Sequence, residues 1–132
     1  MTKGGQLVYP ELSFKITGIL FSVHNELGSY AREKQYGDVL ANKLKENHIN
    51  FTRECRISSS GNILDFIIEN KIAIELKVVR ILTKENYEQM QRYLQETQLK
   101  LGLLVNFRNK YIKPVRIIRI DTVNKRNYLI KN

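Results

Sequence analysis

Residues 63–79 read ILDFIIENKIAIELKVV, two apolar, β-branched runs with Asp65 in the first and a Glu-Leu-Lys triplet in the second. Both runs have the length and composition of strands, and Glu69-Asn70-Lys71 separates them as a turn would. A chain built this way must carry three charges into a sheet. Burying a carboxylate or an ammonium is costly unless a partner or a metal compensates it.

Alternation along a strand sets Glu75 and Lys77 on one face and Ile74, Leu76 and Val78 on the other. Asp65 joins Glu75 in only one kind of hairpin register. A two-residue Asn70-Lys71 loop would set Asp65 opposite Leu76, on the wrong face, whereas an odd-length loop restores the match. A shared site therefore requires an odd loop, such as one of three residues using Asn70.

With that register, two readings fit. One is an ion pair of Lys77 with Asp65 or Glu75. In the other, Asp65, Glu75 and a backbone carbonyl are hard oxygen ligands suited to Mg²⁺ or Mn²⁺. Such an ion polarises a phosphoryl oxygen and acidifies bound water, while Lys77 orients that water or stabilises the pentavalent phosphorus. Phosphodiester hydrolysis is the reaction that suits this set. Spacing alone does not decide between the two readings.

The rest of the chain reads as one domain over residues 1–132, long enough for a core without staples. Leu12, Ile16, Ile19, Leu20, Val23 and Leu27 fall at helical spacing, with Gly28 as a stop. A second helix is expected from about Ala31 to Asn47, its stripe Tyr36, Val39, Leu40 and Leu44. A strand follows, with Phe51, Cys55 and Ile57 on its inner face, and Ser58 to Asn62 form a turn. A third helix follows Thr83, with Tyr87, Met90, Tyr93 or Leu94, and Thr97 inward. LGLLVNF (101–107) reads as a central strand, and VRIIRI after Pro114 as another, with Arg116 and Arg119 accessible. The order α-α-β-β-β-α-β-β predicts an α/β domain, a central mixed β-sheet flanked by helices.

The chain carries a formal charge of +9, unevenly spread. Arg108, Lys110, Lys113, Arg116, Arg119, Lys125, Arg126 and Lys131 stand against Asp121 alone near the C-terminus. Such a tract suits phosphate backbones, and it also suits a plain solvated surface. The single cysteine, Cys55, reads as a small core residue and argues against a disulfide framework or structural zinc. The N-terminus has no signal-peptide pattern and no stretch is long enough to span a bilayer, so a cytoplasmic protein without membrane contact is expected. His24 and His48 lack a second ligand at metal spacing and read as packing or capping residues. No P-loop or dinucleotide fingerprint occurs.

The residues now assembled resemble a known family. Asp65, then Glu75-Leu76-Lys77, then a helix with Gln89 and Tyr93 one turn apart, resemble the PD-(D/E)XK nuclease superfamily. More closely, VHNELG (23–28), Glu33-Lys-Gln-Tyr36, the two charged strands, QMQRYL (89–94) and KLGLLVNF (100–107) resemble, in order, the small GxxExxY proteins. The resemblance covers about residues 12–120. It implies a restriction-endonuclease-like core and a Mg²⁺- or Mn²⁺-dependent nuclease acting on nucleic acid, DNA favoured over RNA. It implies Asp65, Glu75, the Leu76 carbonyl and Glu33 as metal ligands, Lys77 as the catalytic lysine, and Gln89 as a helix-borne group beside the site. Tyr93 and the basic residues Arg108, Lys110, Lys113, Arg116 and Arg119 are then expected at the nucleic acid. By analogy with small nucleases, a homodimer is compatible. The first Gly of the family pattern is replaced here by Tyr30, so a different turn before Glu33 is expected. A non-catalytic nucleic-acid-binding module that keeps the fold is the competing reading, and a basic subunit for an acidic protein is a third.

Overall fold

The computed structural model describes residues 8–57 and 61–121. Among these described residues, three helices and five strands follow the expected order: α1 (Pro10–Leu27), α2 (Glu33–Glu46), β1 (Phe51–Ile57), β2 (Asn62–Ile68), β3 (Ile72–Lys77), α3 (Lys84–Thr97), β4 (Leu101–Asn106) and β5 (Val115–Ile118). The sheet runs β1-β2-β3-β4-β5. Neighbours are antiparallel except β3 and β4, which are parallel, with α3 as the crossover between them. It is a mixed sheet flanked by helices.

Local chemistry explains most boundaries. Pro10 occupies the first turn of α1, where its missing N–H costs nothing. Gly28 ends that helix at φ 76°, and its N–H donates to the His24 carbonyl. The loop's left-handed residue is thus Gly28, and Tyr30 keeps a negative φ. From that loop the chain enters α2 at Glu33 with Arg32 as its N-cap. His48 takes the left-handed position after α2. The Asn86 side chain accepts the Thr83 N–H at 2.9 Å at the start of α3.

Helices α1 and α2 cover one sheet face over Phe66, Ile68, Ile72, Ile74, Leu76, Leu101, Leu103 and Val105. Helix α3 covers the other, with Met90, Tyr93 and Leu94 against Leu64, Ala73, Leu104 and Ile117. At Gly102 a Cβ would collide with Met90, so the glycine lets α3 approach β4 closely.

One expectation on β1 needs correcting. Phe51 packs with the α1–α2 side, whereas Cys55 and Ile57 pack with the α3 side. On β2, Phe66 and Leu64 divide in the same way. Both strands therefore reverse the facing of their side chains around Glu54 and Asp65. Glu54 has φ 55°, which breaks the pleat there, between the Arg53–Phe66 and Cys55–Leu64 pairs of the β1–β2 ladder.

Candidate active site

The β2–β3 loop has three residues, Glu69 to Lys71, with Glu69 and Asn70 both left-handed. Ile68 pairs with Ile72, Ile67 with Ala73 and Phe66 with Ile74. This is the odd-loop register that sets Asp65 across from Glu75. Beyond Phe66–Ile74 the strands bond through side chains. The Asp65 N–H donates to Glu75 Oε1 at 3.2 Å, and the Leu76 N–H donates to Asp65 Oδ2 at 2.7 Å. Each carboxylate thus takes up an amide that the parting ladder releases. A residue's C=O leaves the same strand edge as its N–H, so the Leu76 carbonyl faces that gap as well.

Lys77 completes the cluster. Its Nζ lies 3.8 Å from Glu75 Oε2 and donates to Gln89 Oε1 at 3.3 Å. The chain after Lys77 is held by Asn106, whose side chain donates to the Val79 carbonyl and accepts the Val79 N–H. Gln89 reaches Lys77 from α3, one turn before Tyr93.

The electrostatics of the cluster are unfavourable as it stands. Glu75 is 7 % exposed. Burial, then the charge of Asp65, push its carboxyl up to about 8, against the opposing pull of Lys77. Asp65 is raised as well, by burial, with hydrogen bonds from Leu76 and Glu75 opposing. Glu33 is raised by burial and then by Asp65. Burial, Glu75 and Asp65 push the Tyr93 phenol up to about 12. Carboxylates that resist ionising together, beside a carbonyl freed from its ladder, form an oxygen donor set that a hard divalent cation suits.

Glu33 opens α2. The Tyr36 hydroxyl, one turn on, donates to the Gly28 carbonyl and accepts the Ala31 N–H, while its ring stacks on Phe107 at 4.2 Å. Tyr36 is a buried core aromatic that holds the loop preceding Glu33. Glu33 shares with Asp65 a cavity of about 180 Å³, also lined by Gly37, Arg53, Glu54 and Leu76. Among the described residues, however, no three His, Cys, Asp or Glu side chains stand close enough together to hold a metal ion. Starting from a helix end and not from the sheet, Glu33 stands outside the Asp65–Glu75 pair.

Arg53 was missed in the sequence. Its guanidinium donates to Asp38 Oδ1 at 2.8 Å and lies over the Phe66 ring at 5.5 Å. A Cβ at Gly37 would collide with it. The signal available was parity: Arg53 falls two residues after Phe51, at a position where alternation calls for an apolar residue.

The expected nucleic-acid residues separate. Tyr93 is 2 % exposed and its hydroxyl donates to the Ile63 carbonyl, so its ring is core and offers no stacking face. The Arg116 guanidinium donates to Ser13 Oγ and the Val8 carbonyl, and Arg119 donates to the Gln98 and Leu99 carbonyls. Those two arginines stitch β5 to α1 and to the end of α3, so the accessibility expected of them is reduced. Arg108, Lys110 and Lys113 lie in the β4–β5 connection, beyond the β4 end that neighbours Lys77. Lys125, Arg126 and Lys131 lie outside the described residues, as do Ser58 to Ser60 of the expected turn. His24 bonds Ser29 Oγ and stacks on Phe107, a packing role.

A family model described as the PD-(D/E)XK nuclease superfamily matches residues 10–120. The chain belongs to the PD-(D/E)XK nuclease superfamily. Among solved structures it is similar to the crystal structure of SSO0001, at 22 % identity and a TM-score of 0.50, over 88 % of this chain and 71 % of that one. It is also similar to an alkaline exonuclease from Laribacter hongkongensis, at 16 % identity and a TM-score of 0.46, over 98 % and 77 %. No curated protein matches the sequence. Superfamily membership accords with the restriction-endonuclease-like sheet, and nucleases of this superfamily generally depend on a divalent metal. Among the described residues, no helix is long and apolar enough to cross a membrane.

Proposed function

We propose that the protein is a cytoplasmic, metal-dependent nuclease of the GxxExxY type that hydrolyses phosphodiester bonds in DNA. The observation that carries this reading is the paired acceptance of opposite-strand amides by Asp65 and Glu75 with Lys77 beside them. Asp65, Glu75 and the Leu76 carbonyl would hold Mg²⁺ or Mn²⁺. When bound, the ion supplies charge neutralisation at the phosphoryl oxygen and acidity to a water.

The chain's own groups do the rest. Lys77 orients the attacking water or stabilises charge on the phosphorus, and Gln89 fixes the ammonium for that task. Water adds to phosphorus and releases a proton to solvent as the P–O bond to the leaving oxygen breaks, and that oxygen takes a proton from solvent. Glu33 enters from α2 as a carboxylate at the cavity rim. Arg53, fixed by Asp38, presents a cation to a neighbouring phosphate. A homodimer would bring two such clefts to a duplex.

Incubation of labelled single- and double-stranded DNA and of RNA with Mn²⁺ or Mg²⁺, beside a chelator control, tests the reading. Metal-dependent shortening of DNA that Asp65→Ala abolishes supports it. Salt-sensitive binding that survives Asp65→Ala, with no cleavage in any metal, would instead establish the binding-module reading.

A further inference from the structure

A second cavity, of about 590 Å³, lies away from Asp65, between the end of α1, the α1–α2 loop and the β4–β5 connection. Phe21, Ser29, Lys110 and Tyr111 are among its walls, and none of the described residues that line it is a carboxylate. Tyr111 is 80 % exposed and Tyr30, on the neighbouring loop, 86 %. These are large aromatic faces that the fold leaves to solvent. Each has a cation over it: Arg108 over Tyr30 at 5.4 Å and Lys110 over Tyr111 at 5.4 Å.

The loops that carry these rings are tied together. Arg108 Nε donates to the Ser29 carbonyl at 3.2 Å, and Ser29 Oγ donates to the Asn109 carbonyl at 3.1 Å. The rings therefore start from fixed backbone. Tyr30 also stands three residues before Glu33 at the rim of the catalytic cleft.

We infer that this surface binds an unpaired DNA strand, with bases stacked on Tyr30 and Tyr111 and phosphates held by Arg108 and Lys110. The chemistry selects this occupant. A paired duplex hides its base faces and offers the tyrosines nothing to stack on, whereas an unpaired strand offers π-faces and phosphates at alternating positions. Cations beside each ring and a lining without carboxylates among the described residues match a polyanion with aromatic groups. The inference deepens the nuclease reading and rests on it: the enzyme's preferred substrate is single-stranded DNA or DNA with an unpaired end.

Fluorescence anisotropy in chelator, without cleavage, provides the test. The probes are a labelled single-stranded oligonucleotide, its duplex, and an abasic strand of equal length. Wild type should bind the single strand about tenfold or more tighter than the duplex. Tyr30→Ala and Tyr111→Ala should each weaken single-strand binding about tenfold and leave abasic binding unchanged, while Tyr30→Phe and Tyr111→Phe keep wild-type affinity. Equal affinity for single strand and duplex, untouched by the alanine variants, would overturn the inference. So would a dimer in sedimentation that those variants dissociate, since it would make the rings a contact between copies. Failure here with Asp65-dependent cleavage intact removes only the strand preference. Tyrosine-dependent binding without cleavage in any metal removes the nuclease reading and leaves the surface.

Discussion

At the scale of single residues, Glu75 bears the strongest conflict. A carboxyl raised to about 8 in the folded state and near 4.5 when unfolded favours folding only while protonated. Its contribution is fully present below the unfolded value and is lost as pH rises through about 8. In chelator, Glu75→Gln should therefore gain on wild type as pH rises from about 4.5 to about 8 and level off above that, by something on the order of a few kcal/mol in all. Denaturant midpoints of both proteins across that range check it, and parallel curves would contradict the burial of the ionising group. Asp65, Glu75 and Lys77 were legible because strand parity is a strict rule that three charges in apolar runs visibly strain. The share of Arg53 in the cleft was not read, although its inner parity marked it. Tyr93, read as an inner residue of its helix, is indeed buried, and the place at the nucleic acid that the resemblance implied for it is closed off by that depth.

At the scale of elements, the cleft depends on how closely α2 approaches β1. Gly37 lies within α2, where alanine would favour the helix by about 1 kcal/mol. The Arg53 guanidinium, the tip of a flexible side chain, occupies the space that a Cβ needs. Gly37→Ala is thus expected to leave stability unchanged or raise it by up to about 1 kcal/mol, while it displaces Arg53 and weakens DNA binding several-fold. Thermal melts beside binding isotherms separate the two effects. A variant that loses stability and keeps affinity would show that Arg53 does not serve the ligand. The helices and strands were readable from periodicity and their end residues, and the odd hairpin loop followed from parity. The reversal at Glu54 was not readable, because a glutamate at positive φ leaves no mark in sequence. That reversal is the reason Phe51 and Cys55 lie on opposite sides of the sheet.

For the molecule as a whole, the basic tract divides into two jobs that a charge count cannot distinguish. Arg116 is bound to Ser13 and Val8, whereas Lys110 stands in the connection beyond the β4 end nearest Lys77. Arg116→Ala should cost about 1–3 kcal/mol of stability and leave the salt dependence of DNA binding as it was. Lys110→Ala should do the opposite, with stability held and the log–log salt slope reduced by about 0.7 to 0.9. Equal effects of the two on the slope would contradict this division. The central claim is that Asp65, Glu75 and Lys77 act together on a phosphodiester, and single-turnover cleavage of a labelled DNA strand with Mn²⁺ tests it most directly. Wild type should cut, and Glu75→Ala and Lys77→Ala should each fall by at least about a hundredfold while still folding and still binding DNA in chelator. Cleavage by Glu75→Ala at the wild-type rate would contradict the account.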